Sequence, residues 1–60
     1  MPLPKASELR KLSTEELQRK LDELWLEILR FKATSPQKAR ALRRVRARIL
    51  TILRERELGR

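Results

Sequence analysis

A proline near the middle of the chain constrains this sequence more than any other residue. Pro36, preceded by Ser35, separates two stretches that each carry an apolar stripe at helical spacing. Proline disfavours helical backbone in the residue before it and is well suited to the first position of a new helix. One helix is therefore expected to end near Thr34 and another to begin at Pro36, with Ser35 as its N-cap. Before the break, Leu17, Leu21, Leu24, Ile28 and Phe31 recur at spacings of four and three. After it, Leu42, Val45, Ile49 and Ile52 do the same. Each stripe marks one buried helix face.

The first long helix has a defined start. Ser13-Thr14-Glu15-Glu16 matches the capping-box pattern, in which a serine hydroxyl takes the N3 backbone N–H and the N3 glutamate reaches back to the cap N–H. Leu12 and Leu17 stand where a hydrophobic staple would form. Glu15 and Glu16 lie at the positive end of the helix dipole and four residues ahead of Arg19 and Lys20, the favourable order for helix ion pairs. Upstream, Ala6 to Lys11 suits a short helical turn begun around Ser7 and bounded by Pro2 and Pro4. The expected fold is all-α: one domain over residues 1–60, with a helical turn at about 5–12 and helices at 14–34 and 36–57 forming an antiparallel hairpin. A single long kinked helix in an oligomeric coiled coil is the alternative.

Sixty residues make a thin core. Chains of this size usually gain stability from a disulfide, a metal or a partner. There is no Cys and no His, so the disulfide and the usual zinc ligands are absent, as are the thiolate and imidazole that most enzymes of this size would need. The single glycine cannot build a phosphate-cradling loop. No enzyme activity, cofactor, metal or small-molecule substrate is expected, and marginal stability without a partner is. The segment Met1 to Leu12 lacks the apolar run of a secretory signal, and no stretch has the 18 or so apolar residues of a membrane span.

The charge indicates the kind of partner. The net charge is +8, which favours an anionic polymer or surface. Residues 1–34 carry seven basic and six acidic side chains, whereas residues 35–60 carry nine and two. Eight of those nine are arginine, whose planar fork bonds phosphate bidentately and stacks on bases. At about 100° per residue, Arg40, Arg43, Arg44, Ala47, Thr51 and Arg54 fall opposite the apolar stripe, with Arg46 and Arg48 on its two flanks. Helix-turn-helix, zinc-finger and zipper patterns are missing. A basic rod with only Gln18 and Gln37 as side-chain amides suits the shape and phosphate recognition typical of duplex RNA. The RNA-contact candidates are Lys38, Arg40, Arg43, Arg44, Arg46, Arg48 and Arg54, together with Arg10 and Lys11. A merely solvated basic face is the plainer reading, and an interfacial membrane helix is a further one.

A second surface lies on the first helix. Trp25, Leu26, Leu29 and Ala33 fall away from its apolar stripe. Three readings stay open. Leu3, Leu9 or Leu12 could fold back over the patch, the chain could dimerise through it, or it could dock a neighbouring protein or a stacked base.

Several segments resemble a known family. They are Ser7-Glu8-Leu9-Arg10-Lys11-Leu12-Ser13 followed by Glu15-Glu16-Leu17, Leu24 through Thr34, and, most specifically, the run from Arg43-Arg44-Val45-Arg46-Ala47-Arg48 to Arg54-Glu55-Arg56-Glu57. Together they resemble large-subunit ribosomal protein twenty-nine over nearly the whole chain. The turn Ser35-Pro36-Gln37 is shorter than in many members, and Arg46 stands where Ile or Val is frequent. The resemblance implies a cytoplasmic ribosomal constituent bound to large-subunit ribosomal RNA near the polypeptide exit tunnel. It also implies ribosomal protein twenty-three as a neighbour and Arg43, Arg44, Arg48 and Arg54 as RNA contacts.

Overall fold

The computed structural model describes residues 3–59; Pro2, one bound of the expected N-terminal turn, lies outside them. Three helices follow in order: α1 (Ala6–Leu9), α2 (Thr14–Thr34) and α3 (Pro36–Glu57). The two long helices start and stop where the proline and the capping pattern place them. They pack side by side in a molecule 39 × 18 × 15 Å across. A single continuous helix over residues 14–57 would be about 65 Å long at 1.5 Å per residue, so the kinked-rod alternative does not hold.

Ser13 caps α2 by accepting the Glu16 backbone N–H on its hydroxyl oxygen at 3.1 Å. The capping box is closed differently from the expected pattern, because the Glu16 carboxylate accepts from the Ser13 hydroxyl at 3.1 Å and not from the cap backbone. The expected Glu15–Arg19 and Glu16–Lys20 ion pairs are not formed; the one ion pair among the described residues joins Arg10 to Glu55. Glu16 is already engaged by Ser13, and exposed pairs of this kind gain too little to fix two long side chains. At the reversal, Ser35 serves both helices. Its N–H donates to the Phe31 carbonyl at 2.8 Å and its carbonyl accepts from Ala39 at 3.1 Å. Its side chain makes no capping bond, contrary to expectation, and Pro36 fills the first helical position. At the far end Gly59, at φ +75°, ends α3 in the left-handed conformation that glycine adopts without strain.

The core is the pair of facing stripes. Leu17, Leu24 and Ile28 of α2 and Leu42, Val45, Ile49 and Ile52 of α3 are buried, with Leu21 and Phe31 half-buried beside them. Two further residues join them. Ala39 is buried one turn into α3, a position the periodicity does not mark because a methyl group carries little apolar weight. Leu9 is only 1% exposed. It plugs α1 onto the hairpin, with Leu3 and Leu12 packed against the same core. The N-terminal segment thus lies along α3. Its short helix begins at Ala6, with Lys5 rather than Ser7 at the start and no side-chain cap. None of Leu3, Leu9 and Leu12 is spare to cover the outer patch of α2, which stays open.

Candidate nucleic-acid interface

The arginines of α3 divide into two groups according to what they touch. Arg40, Arg43, Arg44, Arg48 and Arg54 are exposed, and none makes a side-chain hydrogen bond or ion pair among the described residues. Because Leu42, Val45, Ile49 and Ile52 are fixed in the core, helical geometry turns these five to the opposite or flanking side. Ala47 and Thr51 lie among them, and the Thr51 hydroxyl is turned down onto the Ala47 carbonyl at 3.0 Å. The centre of the face is therefore low and its rim cationic. A phosphate backbone can approach the helix closely there while guanidinium groups reach round it.

Other basic residues have local partners. Lys38 points back across the turn, with Nζ 5.3 Å from the centre of the Phe31 ring. Arg46 lies over Trp25, with Cζ 5.6 Å from the ring centre. Both are within cation–π range. Arg46 sits at the margin of the arginine face, whereas Lys38 lies on the side of α3 that faces α2. Arg10 comes from the N-terminal segment to the same flank as Arg48, and the two line one shallow hollow with Ala6, Ala47, Thr51 and Ile52. Lys11 is exposed one residue further on.

Arg56 was not among the candidates, and the structure gives it a different role. Its Nη1 donates to the Thr14 hydroxyl at 3.1 Å, and its Nη2 donates to the carbonyls of Arg10 and Leu12 at 3.2 and 2.7 Å. A cation bonded to carbonyls at the end of α1 is favourable both as a charge-assisted hydrogen bond and against the helix dipole. Unlike the five outward arginines, Arg56 is thus held by internal partners. The contact partners lie more than 40 positions away in sequence, so local spacing holds no signal for it. A weak hint is that Arg56 falls on the apolar side of its own helix.

The outer patch of α2 has the placement expected. Trp25, Leu26 and Leu29 are 50%, 66% and 51% exposed, and Ala33 is also exposed. Leu50 of α3 is a further exposed large apolar side chain. No helix among the described residues is long and apolar enough to cross a membrane.

A small helical hairpin with a thin core, one strongly cationic face and an exposed apolar patch has the build of an architectural protein that is completed by a larger assembly. Comparison with known proteins makes this specific. The large ribosomal subunit protein uL29 of Caldanaerobacter subterraneus subsp. tengcongensis is 53% identical, over 92% of this chain and 94% of that protein. Its counterparts from Roseiflexus castenholzii and Streptomyces coelicolor are 52% and 50% identical over 92% of this chain, covering 94% and 84% of their own lengths. No family model matches, and no solved structure does. The chain belongs to the large ribosomal subunit protein uL29 family. It is a structural, non-enzymatic constituent of the large subunit of the cytoplasmic ribosome, associated there with ribosomal RNA and proteins.

Proposed function

We propose that the chain, as a single unit over residues 1–60, clamps large-subunit ribosomal RNA through the outward face of α3. Arg40, Arg43, Arg44, Arg48 and Arg54 take phosphates, with Arg10 beside them, Lys11 and Arg46 at the margins and Lys38 near the turn. The observation that carries this reading is that the five central arginines share one side of a rigid helix and have no side-chain partner among the described residues. The α2 surface of Trp25, Leu26, Leu29 and Ala33 meets a neighbouring protein. Family resemblance supports ribosomal protein twenty-three as that neighbour and the rim of the polypeptide exit tunnel as the place.

Affinity for a large-subunit ribosomal RNA fragment, against a scrambled duplex of the same length, tests the reading. Salt is titrated through about 0.05–0.2 M, where a contact to several phosphates loses orders of magnitude in affinity. Preference for the native fragment is expected. Arg44→Ala with Arg48→Ala should make the salt slope shallower by about 1.4–1.8; an unchanged slope removes both from the site. A stable dimer in sedimentation without RNA would reassign the α2 patch to a second copy of the chain.

A further inference from the structure

The N-terminal segment is held down more firmly than the packing of a four-residue helix requires. Leu9 anchors it in the core. Arg56 then binds it at two points, the carbonyls of Arg10 and Leu12, and ties it to the start of α2 through the hydroxyl of Thr14. The result is to place the Arg10 side chain, 56% exposed, on the same flank as Arg48. Between them lies an open hollow of about 200 Å³, lined by Ala6, Arg10, Ala47, Arg48, Thr51 and Ile52.

We infer that this hollow is a phosphate seat built jointly by α1 and α3, with Arg10 and Arg48 as its cationic walls and Arg56 as the residue that assembles it. The inference rests on reading α3 as the RNA-binding face, and it names one phosphate-sized subsite of that face.

What suits the hollow to a phosphate is the pair of arginines on its walls, since the rest of its lining is largely apolar. Ala6 and Ala47 leave room at the floor. The Thr51 hydroxyl proton is committed to the Ala47 carbonyl, so donors to a bound anion must come from the guanidinium groups. Arg10 has capacity to spare, because only its Nη2 is engaged, at 3.5 Å from Glu55 Oε2, and a guanidinium carries five N–H donors. Glu55 therefore orients Arg10 while opposing an anion through its own charge. Arg56 does not compete for the ligand: both of its terminal nitrogens are turned to internal acceptors. It is a positioning residue, acting through the chain segment that carries Arg10.

The experiment is a salt titration of binding to a large-subunit ribosomal RNA fragment, with helicity checked by circular dichroism for every variant. Arg10→Ala should lower the salt slope by about 0.7–0.9, the equivalent of one phosphate. Arg56→Gln should lower it by the same amount, and the double variant by no more than either alone. Thr14→Ala removes one of the three Arg56 contacts without changing any charge; it should weaken binding and move the slope in the same direction, and it serves if Arg56→Gln fails to fold. An unchanged slope for Arg10→Ala, with a reduced one for Arg44→Ala plus Arg48→Ala, overturns the seat while the RNA-binding face stands. Unchanged slopes for both overturn the face and the seat with it. A double variant that loses twice the single effect makes Arg56 a direct RNA contact and overturns its positioning role, as does a Thr14→Ala variant indistinguishable from the parent chain.

Discussion

The two long helices differ by one residue in length and contribute to the same core, yet their outward sides have almost nothing in common. That of α2 combines acidic and basic residues with Trp25, Leu26 and Leu29, whereas the charge on that of α3 comes chiefly from arginine, set around Ala47 and Thr51. Inward faces of two packed helices must match each other, so they converge on Leu, Ile and Val. Outward faces answer to whatever lies beyond the protein, and here they diverge in charge. The hairpin is thus a spacer with two unlike surfaces, one suited to a polyanion and the other to an apolar partner. Its internal stability only has to hold those surfaces in register.

The sharpest way to break this division is to exchange inward and outward positions. Ile49→Ala deletes methyl groups from a fully buried site, which costs about 2–5 kcal/mol. A single core in a chain of 60 residues rarely supplies more than about 3–5 kcal/mol. Cooperative thermal unfolding of the free protein, followed by circular dichroism, should disappear. Leu26→Ala, on the outward side of α2, should change stability by no more than about 0.5 kcal/mol. Equal losses at the two sites would mean that α2 is packed on the wrong face.

A second comparison holds charge constant and changes only the helix. Arg40→Ala with Arg43→Ala removes two charges from α3, and Arg19→Ala with Arg30→Ala removes two from α2. Salt titration of RNA binding should show a slope shallower by about 1.4–1.8 for the α3 pair and little change for the α2 pair. Matching losses would reduce the protein to a generic polycation with no defined face.

What was legible in the sequence follows the range of the interactions involved. The helix limits at Thr14, Thr34, Pro36 and Glu57, the Ser13 cap and the buried stripe depend on residues within four or so positions of one another, and local spacing records them. The outward side of α3 was legible for the same reason, since fixing the stripe fixes its opposite. The docking of α1 was not, because Leu9 reads as one leucine among several until its partners on α3 are known. Arg56 was hidden more completely. Its residue type matches the RNA-facing arginines, and beyond its place on the apolar side of α3 only contacts made across the open end of the hairpin distinguish it from Arg54.

That pair gives a third test within one helix end. Arg56→Ala removes charge-assisted bonds to two carbonyls and a hydroxyl and should cost about 1–3 kcal/mol of stability. Arg54→Ala, two residues earlier and without such partners, should stay within about 0.5 kcal/mol. Urea unfolding of both variants decides it; similar midpoints would show that the N-terminal segment is held by its apolar contacts alone.

The smallest effect separates the two helix starts. Both long helices begin after a serine, but only Ser13 receives a backbone N–H on its side chain, while Ser35 is followed by a proline whose fixed φ already suits the first helical turn. Ser13→Ala should therefore cost about 0.5–2 kcal/mol, the usual range for a working N-cap. Ser35→Ala should cost less, because the bonds Ser35 makes are those of its backbone and survive the substitution. The measurement is the shift in unfolding midpoint for the two single variants. If Ser35→Ala proves the more damaging, its hydroxyl caps α3 in solution, and the reversal is held by side-chain chemistry as well as by proline.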